Sequence, residues 1–308
     1  MSKSFKEIIS KVAECDVKTV AVAIAEDENV LEAVKAAKEQ NIANAILVGN
    51  EAEIRAIADK IGMDLSQFEI INEPDHAVAP LTAVGLVHDG KADMYMKGLA
   101  DTKSFLKSVL DKERGLRTGK LLSHVAVFDI PGHDGLCFLT DVAFNTYPTI
   151  EQKVEIIENA VGVANACGIE NPKIAPLAAV EVVNPKMPET VDAAELTKMN
   201  EEGKITGCVI DGPLSFDLAY DAEAAVHKNA TGRKIVGDAD IFLFHDIDAG
   251  NLVYKTLVHT TSAVNGCILV GTAAPCILTS RSDTFEVKLN SIALAAVVAE
   301  KMKQAKNA

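Results

Sequence analysis

Tryptophan is missing from this chain, and only 5% of its 308 residues are aromatic. The core must therefore be filled by small and branched aliphatic side chains, a composition suited to parallel strands packed between helices. The six cysteines (Cys15, Cys137, Cys167, Cys208, Cys267 and Cys276) are scattered, and none forms a Cys-x-x-Cys pair. That argues against zinc and against a disulfide framework, and fits reduced thiols in a cytoplasmic protein. No apolar run is long enough to span a bilayer, and residues 1–18 read as a polar amphipathic helix rather than a secretion signal.

Positive charge is also scarce. Thirty Lys and Arg face 44 Asp and Glu, a net charge of −14, which argues against nucleic acid or an anionic membrane as partner. A small anionic substrate remains compatible, provided donors are placed locally. Arginine is limited to Arg55, Arg114, Arg117, Arg233 and Arg281, so one in a polar cluster at a strand–helix junction stands out. No GxGxxG, HExxH or GxSxG motif occurs. Gly115 to Lys120 imitates a phosphate loop but is one residue short, and Leu121 stands where a magnesium-binding hydroxyl is needed. His245, Asp246 and Asp248 read as a polar strand terminus rather than a metal site, so no metal is expected.

What the chain does have is a steady alternation of short apolar runs and helical periodicity. Strands are predicted at 18–25, 45–48, 68–71 and 92–96, with helices between them and another over 102–110. Two strands, 121–128 and 136–139, come next with no helix between them. A second alternating block has helices at 149–167, 189–200, 218–227 and 251–262, and strands at 174–180, 207–210, 240–244 and 267–270. The last helix begins near Asp283, where Asp283 and Glu286 read as its start, and should fold back onto the first block. The fold class is α/β. A discontinuous first domain is expected over 1–137 and 275–308, and a second over 138–274.

Polar clusters recur where such sheets bind ligands, at the carboxyl ends of strands. They are Lys97-Gly98 with Thr102, Thr140-Asp141 with Asn145, Asp211-Gly212-Pro213, Asp246 with Asn251, and Ser280-Arg281-Ser282-Asp283. The stretches MKGLADT (96–102), LTDVAFNTYPT (139–149), DGPLSFDLA (211–219), DIDAGNLVYK (246–255) and SRSD (280–283) resemble the phosphate acetyltransferase and butyryltransferase family, in particular its shorter butyryltransferase branch.

The resemblance implies two three-layer α/β domains with an interdomain cleft, like isocitrate and isopropylmalate dehydrogenases, usually as a homodimer. It implies acyl-CoA plus phosphate giving acyl phosphate plus CoA, with no permanently bound cofactor and no covalent acyl-enzyme. Ser280 and Arg281 match the family's catalytic serine and arginine. The acetyltransferase branch has its catalytic aspartate six residues after that arginine. Val287 stands there in this chain, so Asp283 is the substitute candidate for the base, with Asp141 or Asp211 next if Asp283 only caps the helix. Lys97 replaces a first-domain arginine of that branch, unless Arg114 or Arg117 reaches in. Substrate contacts are expected from Lys97, Thr102, Thr140, Asp141, Asn145, Asp211 and Asn251. Butyryl is the expected acyl group. Acetyl transfer, a related-fold dehydrogenase using NAD and a metal, and a binding module that has lost the chemistry are the alternatives.

Overall fold

The computed structural model describes residues 2–280 and 283–307, which divide into two compact units, Phe5–Lys120 with Asn265–Ala308, and Met1–Ser4 with Leu121–Val264. The first unit opens with α1 (Phe5–Val12), β1 (Lys18–Ala23), α2 (Glu28–Glu39), β2 (Ala43–Gly49) and α3 (Glu51–Ile61). It continues through β3 (Glu69–Asn72), α4 (Ala79–His88), β4 (Met94–Lys97) and α5 (Thr102–Val109). Val20 to Ala23 are completely buried, as a central parallel strand requires. Short polar side chains start the helices: Asp27 accepts from Val30 N at 3.0 Å, Asn50 from Ala52 N at 3.1 Å and Asp101 from Ser104 N at 3.0 Å. Gly62 ends α3 in the left-handed conformation (φ 62°), where a side chain would be strained.

The second unit has β5 (Ser123–Asp129), β6 (Leu136–Thr140), α6 (Ile150–Ala166), β7 (Lys173–Pro176) and α7 (Pro188–Glu201). Then come β8 (Val209–Ile210), α8 (Phe216–Tyr220), α9 (Ala222–His227), β9 (Ile241–Leu243) and α10 (Ile247–Thr260). Its strands lie in the order β5-β6-β9-β7-β8, parallel except for the β5–β6 pair. The predicted capping box at Thr149 and Gln152 opens α6. Two elements differ from the sequence reading. The strand expected over 174–180 leaves the sheet after Pro176. The helix expected over 218–227 is two helices, because Asp221 is extended and its side chain caps α9 through Glu223 N at 2.8 Å.

The chain re-enters the first unit with β10 (Val264–Val270), β11 (Cys276–Ile277) and α11 (Phe285–Asn307). Strand order there is β3-β2-β1-β4-β11-β10, parallel except between β10 and β11. Ile292 to Ala299 of α11 are all buried, and α11 packs on α1 and α2. At Gly266 of β10 an added Cβ would lie 2.9 Å from the Asn290 backbone, so strand and helix nearly touch. Among the described residues, no helix is long and apolar enough to cross a membrane. Five of the six thiols are buried. Burial pushes Cys137 and Cys276 up to about 12 and Cys208 up to about 11.

Candidate active site

β4 and β11 are parallel neighbours with Met96 level with Ile277, so both chains leave the sheet at one edge. β4 runs out into Lys97-Gly98, and Thr279-Ser280 lies just past the end of β11. Lys97, Asp101, Thr102, Thr279 and Ser280 consequently line one cavity of about 330 Å³. Lys97 is only 4% exposed, so its ammonium acts with little competition from water. Thr102 opens α5, whose amino end carries partial positive charge. Asp101 was not singled out from the sequence, although an aspartate just before a helical run was the signal for it. Its carboxylate caps α5, accepting from Ser104 N at 3.0 Å and from Ser104 Oγ at 2.5 Å, and also stands on the cavity wall.

Gly98 makes the edge possible. Its N–H donates to Ala23 O at 2.9 Å and Leu99 N–H donates to Ile24 O at 2.8 Å. A Cβ at Gly98 would lie 2.2 Å from Ile24 O and 2.7 Å from Ala23 O. Backbone cannot yield as a side-chain tip can. Gly98→Ala is expected to cost about 2 kcal/mol or more in urea denaturation and to displace Lys97. Wild-type stability in that variant would show that the contact relaxes freely.

The turn after β11 closes on itself. Asp283 Oδ2 accepts from Ser280 N at 2.7 Å, and Asp283 N donates to Ser280 O at 3.2 Å. The start of α11 is correspondingly shifted from the expected one. Thr284 Oγ1 accepts from Val287 N at 3.5 Å, leaving the buried Asp283 carboxylate to hold Ser280. Lys288, also unmarked in the sequence reading, donates to Asp283 O at 2.6 Å and Ser280 O at 3.4 Å. Arg281, with Ser282, lies outside the described residues.

The remaining predicted site residues belong to the other unit. Thr140 Oγ1 donates to His124 O at 3.1 Å. Asp141, 3% exposed, accepts from five donors: His124 N at 3.2 Å, Ala143 N at 2.9 Å, Phe144 N at 2.9 Å, Asn145 N at 3.2 Å and Asn145 Nδ2 at 2.6 Å. Asn145 Nδ2 also reaches Leu122 O at 2.8 Å, and Asn251 Nδ2 reaches Val142 O at 2.9 Å. These residues meet one another in a backbone-bracing network around Asp141. Asp211 sits apart from it, in a two-pronged pair with Arg233 (2.7 and 3.2 Å), and also accepts from Lys234 N and Ile235 N at 3.0 and 3.1 Å. Asp141 and Asp211 are thus each held by several donors within this unit.

His245 is held by the fully buried Lys153, whose Nζ donates to His245 Nδ1 at 3.0 Å and to Asp192 Oδ2 at 2.6 Å. Burial, and after it the Lys153 charge, keeps the imidazole below its ordinary pKa. His245, Glu189, Phe216, Phe244 and Leu252 contribute to a second cavity of about 610 Å³ in this unit. Among the described residues, no cluster of three or more His, Cys, Asp or Glu side chains is placed to hold a metal ion.

A sequence profile of the family described as "Phosphate acetyl/butaryl transferase" matches residues 4–79 and 77–296. The chain is 61% identical over 299 residues to the phosphate butyryltransferase of Clostridium acetobutylicum, covering 97% of this chain and 99% of that one. It is 58% identical over 303 residues to the phosphate butyryltransferase of Clostridium beijerinckii, covering 98% and 100%. The crystal structure of a branched-chain phosphotransacylase from Enterococcus faecalis V583 superposes with a TM-score of 0.81 at 36% identity, covering 92% of this chain and 99% of that one.

Proposed function

Because the chain belongs to the phosphate acetyl/butaryl transferase family, we propose that its phosphate acyltransferase chemistry is carried out at the Lys97–Ser280 cavity. The reaction moves a butyryl group reversibly between coenzyme A and inorganic phosphate. The observation that carries the siting is the β4–β11 pairing, which gathers a buried ammonium, three hydroxyls and a carboxylate around one small space.

In the direction that makes acyl-CoA, the thiol, with an ordinary pKa of about 8.5, loses its proton to a carboxylate. The thiolate adds to the carbonyl carbon of butyryl phosphate, and the carbonyl electrons move to oxygen. The Ser280 hydroxyl donates to that oxyanion, a contact worth roughly 3 kcal/mol of barrier. The oxyanion collapses, the bond from carbon to the phosphate oxygen breaks, and phosphate departs with that electron pair. Arg281 is assigned to its oxygens, since a guanidinium can pair with two at once, and Lys97 adds a second positive charge. Thr102 and Thr279 supply further hydroxyl donors. No enzyme nucleophile is required, in keeping with the raised pKa values of Cys137, Cys208 and Cys276.

Two carboxylates flank Ser280 in different ways. Asp283, the base expected from the sequence, holds the Ser280 amide, and Asp101 stands on the cavity wall. We assign the thiol proton to Asp101 and the setting of Ser280 to Asp283. Asparagine caps helices as well as aspartate does. Asp101→Asn should therefore keep the wild-type melting temperature and lower kcat by roughly a hundredfold or more. Unchanged turnover in Asp101→Asn, with loss in Asp283→Asn, would return the base to Asp283.

The same reading includes two isocitrate-dehydrogenase-like domains with a cleft and a homodimer, both resting on family membership. Thiol release from acetyl-, propionyl- and butyryl-CoA, with and without phosphate and with neither metal nor nicotinamide added, tests the function directly. Butyryl-CoA should give the highest kcat/KM, in a strictly phosphate-dependent reaction. Release that ignores phosphate would defeat the reading, and a preference for acetyl-CoA would correct the acyl group.

A further inference from the structure

Lys288 is the fourth residue of α11 and is only 3% exposed. A buried lysine amine is costly unless its donors are used. Here they are used on main-chain oxygens, Asp283 O at 2.6 Å and Ser280 O at 3.4 Å. Those two carbonyls bracket the turn from outside, while Asp283 Oδ2 takes the Ser280 amide from within. The base of the arrangement is itself fixed. Ser291 Oγ, one turn along α11, accepts from Cys267 N of β10 at 2.9 Å, and Asn290 Nδ2 donates to Asn265 O at 3.2 Å. Burial lowers the pKa of Lys288, and the carboxylates of Asp27 and Asp283 oppose that fall.

We infer that Lys288 is a positioning residue for acyl transfer, its amine clipping both ends of the turn that presents Ser280 to the cavity. The inference rests on the proposed role of the Ser280 cavity. The clip acts through Ser280 and does not itself touch the substrate. It sets where the hydroxyl points. A displacement of a reacting group by about 1 Å can cost about a hundredfold in rate, so a loose turn should show in kcat before it shows in binding.

Lys288→Met keeps the length and apolar stem of the side chain and removes the ammonium, and Lys288→Gln retains one donor. Lys288→Met is expected to lower kcat between about tenfold and a hundredfold, with KM for butyryl-CoA changed less than about threefold, and Lys288→Gln should recover part of the loss. Hydrogen exchange read by mass spectrometry should show the peptide spanning residues 278–284 exchanging about tenfold faster or more, with β10 and the rest of α11 unchanged. Normal kcat per folded molecule in Lys288→Met would overturn the inference. So would faster exchange throughout β10 and α11, or failure of both variants to fold, since either result makes the amine a support of the core. If the wild-type enzyme shows no phosphate-dependent thiol release, the functional reading fails, and the exchange experiment still decides whether Lys288 holds the turn.

Discussion

Arg281→Ala is expected to lower phosphate-dependent release of CoA from butyryl-CoA by about two to three orders of magnitude while the protein stays folded. The reason lies in the phosphate, which attacks in this direction and departs in the reverse one. In both it carries charge on several oxygens, and a planar guanidinium can meet two of them at once. In a chain with five arginines and a net charge of −14, little else can do so. Arg281→Lys should recover only part of the activity, because an ammonium offers a point charge instead of a fork. The two variants are best compared at saturating phosphate, so that a binding defect and a chemical defect separate. Near-normal turnover in Arg281→Ala would remove the guanidinium from the mechanism and leave Lys97 as the principal cation of the site.

The largest effect on stability is expected at Asp141. Five donors converge on its carboxylate, four of them main-chain N–H groups, and the residue is 3% exposed. Alanine there would leave those donors unmatched, each at a cost of about 1 kcal/mol or more when buried. Asp141→Ala should therefore lose about 4 kcal/mol in urea denaturation, among the larger losses known for single substitutions. Asp141→Asn should fall between the two, since it keeps the shape but turns one acceptor into a donor facing donors. Activity per folded molecule should remain close to wild type in both variants. Full stability with lost turnover would reverse the assignment and make Asp141 a participant in the reaction.

The candidate residues of the two units differed in how readily the sequence disclosed their roles. Lys97, Thr102 and Ser280 lie at strand-to-helix junctions, and parallel pairing brings such junctions to one edge, so their meeting could be expected from apolar periodicity. Asn145 and Asn251 stand at similar junctions, yet their amides are engaged with Leu122 O and Val142 O. Composition cannot tell an amide that braces a loop from one that awaits a ligand. Asp211 was ambiguous for the same reason, since its partner Arg233 is distant in sequence and close only in space. Lys288 left a fainter mark. It falls three residues after Phe285 and four before Ile292, on the apolar stripe of α11, where a lysine needs a reason to be.

The seat beside β4 is filled by β11, a strand encoded about 180 residues later. During synthesis the flank of β4, and the faces of α1 and α2 that α11 covers, stay bare until β11 and α11 have been made. The cavity lined by Lys97 and Ser280 thus takes shape only after β11 has joined β4. A fragment ending at Val270 should be inert, and a separately supplied peptide carrying β11 and α11 should restore activity by sliding into the vacant place.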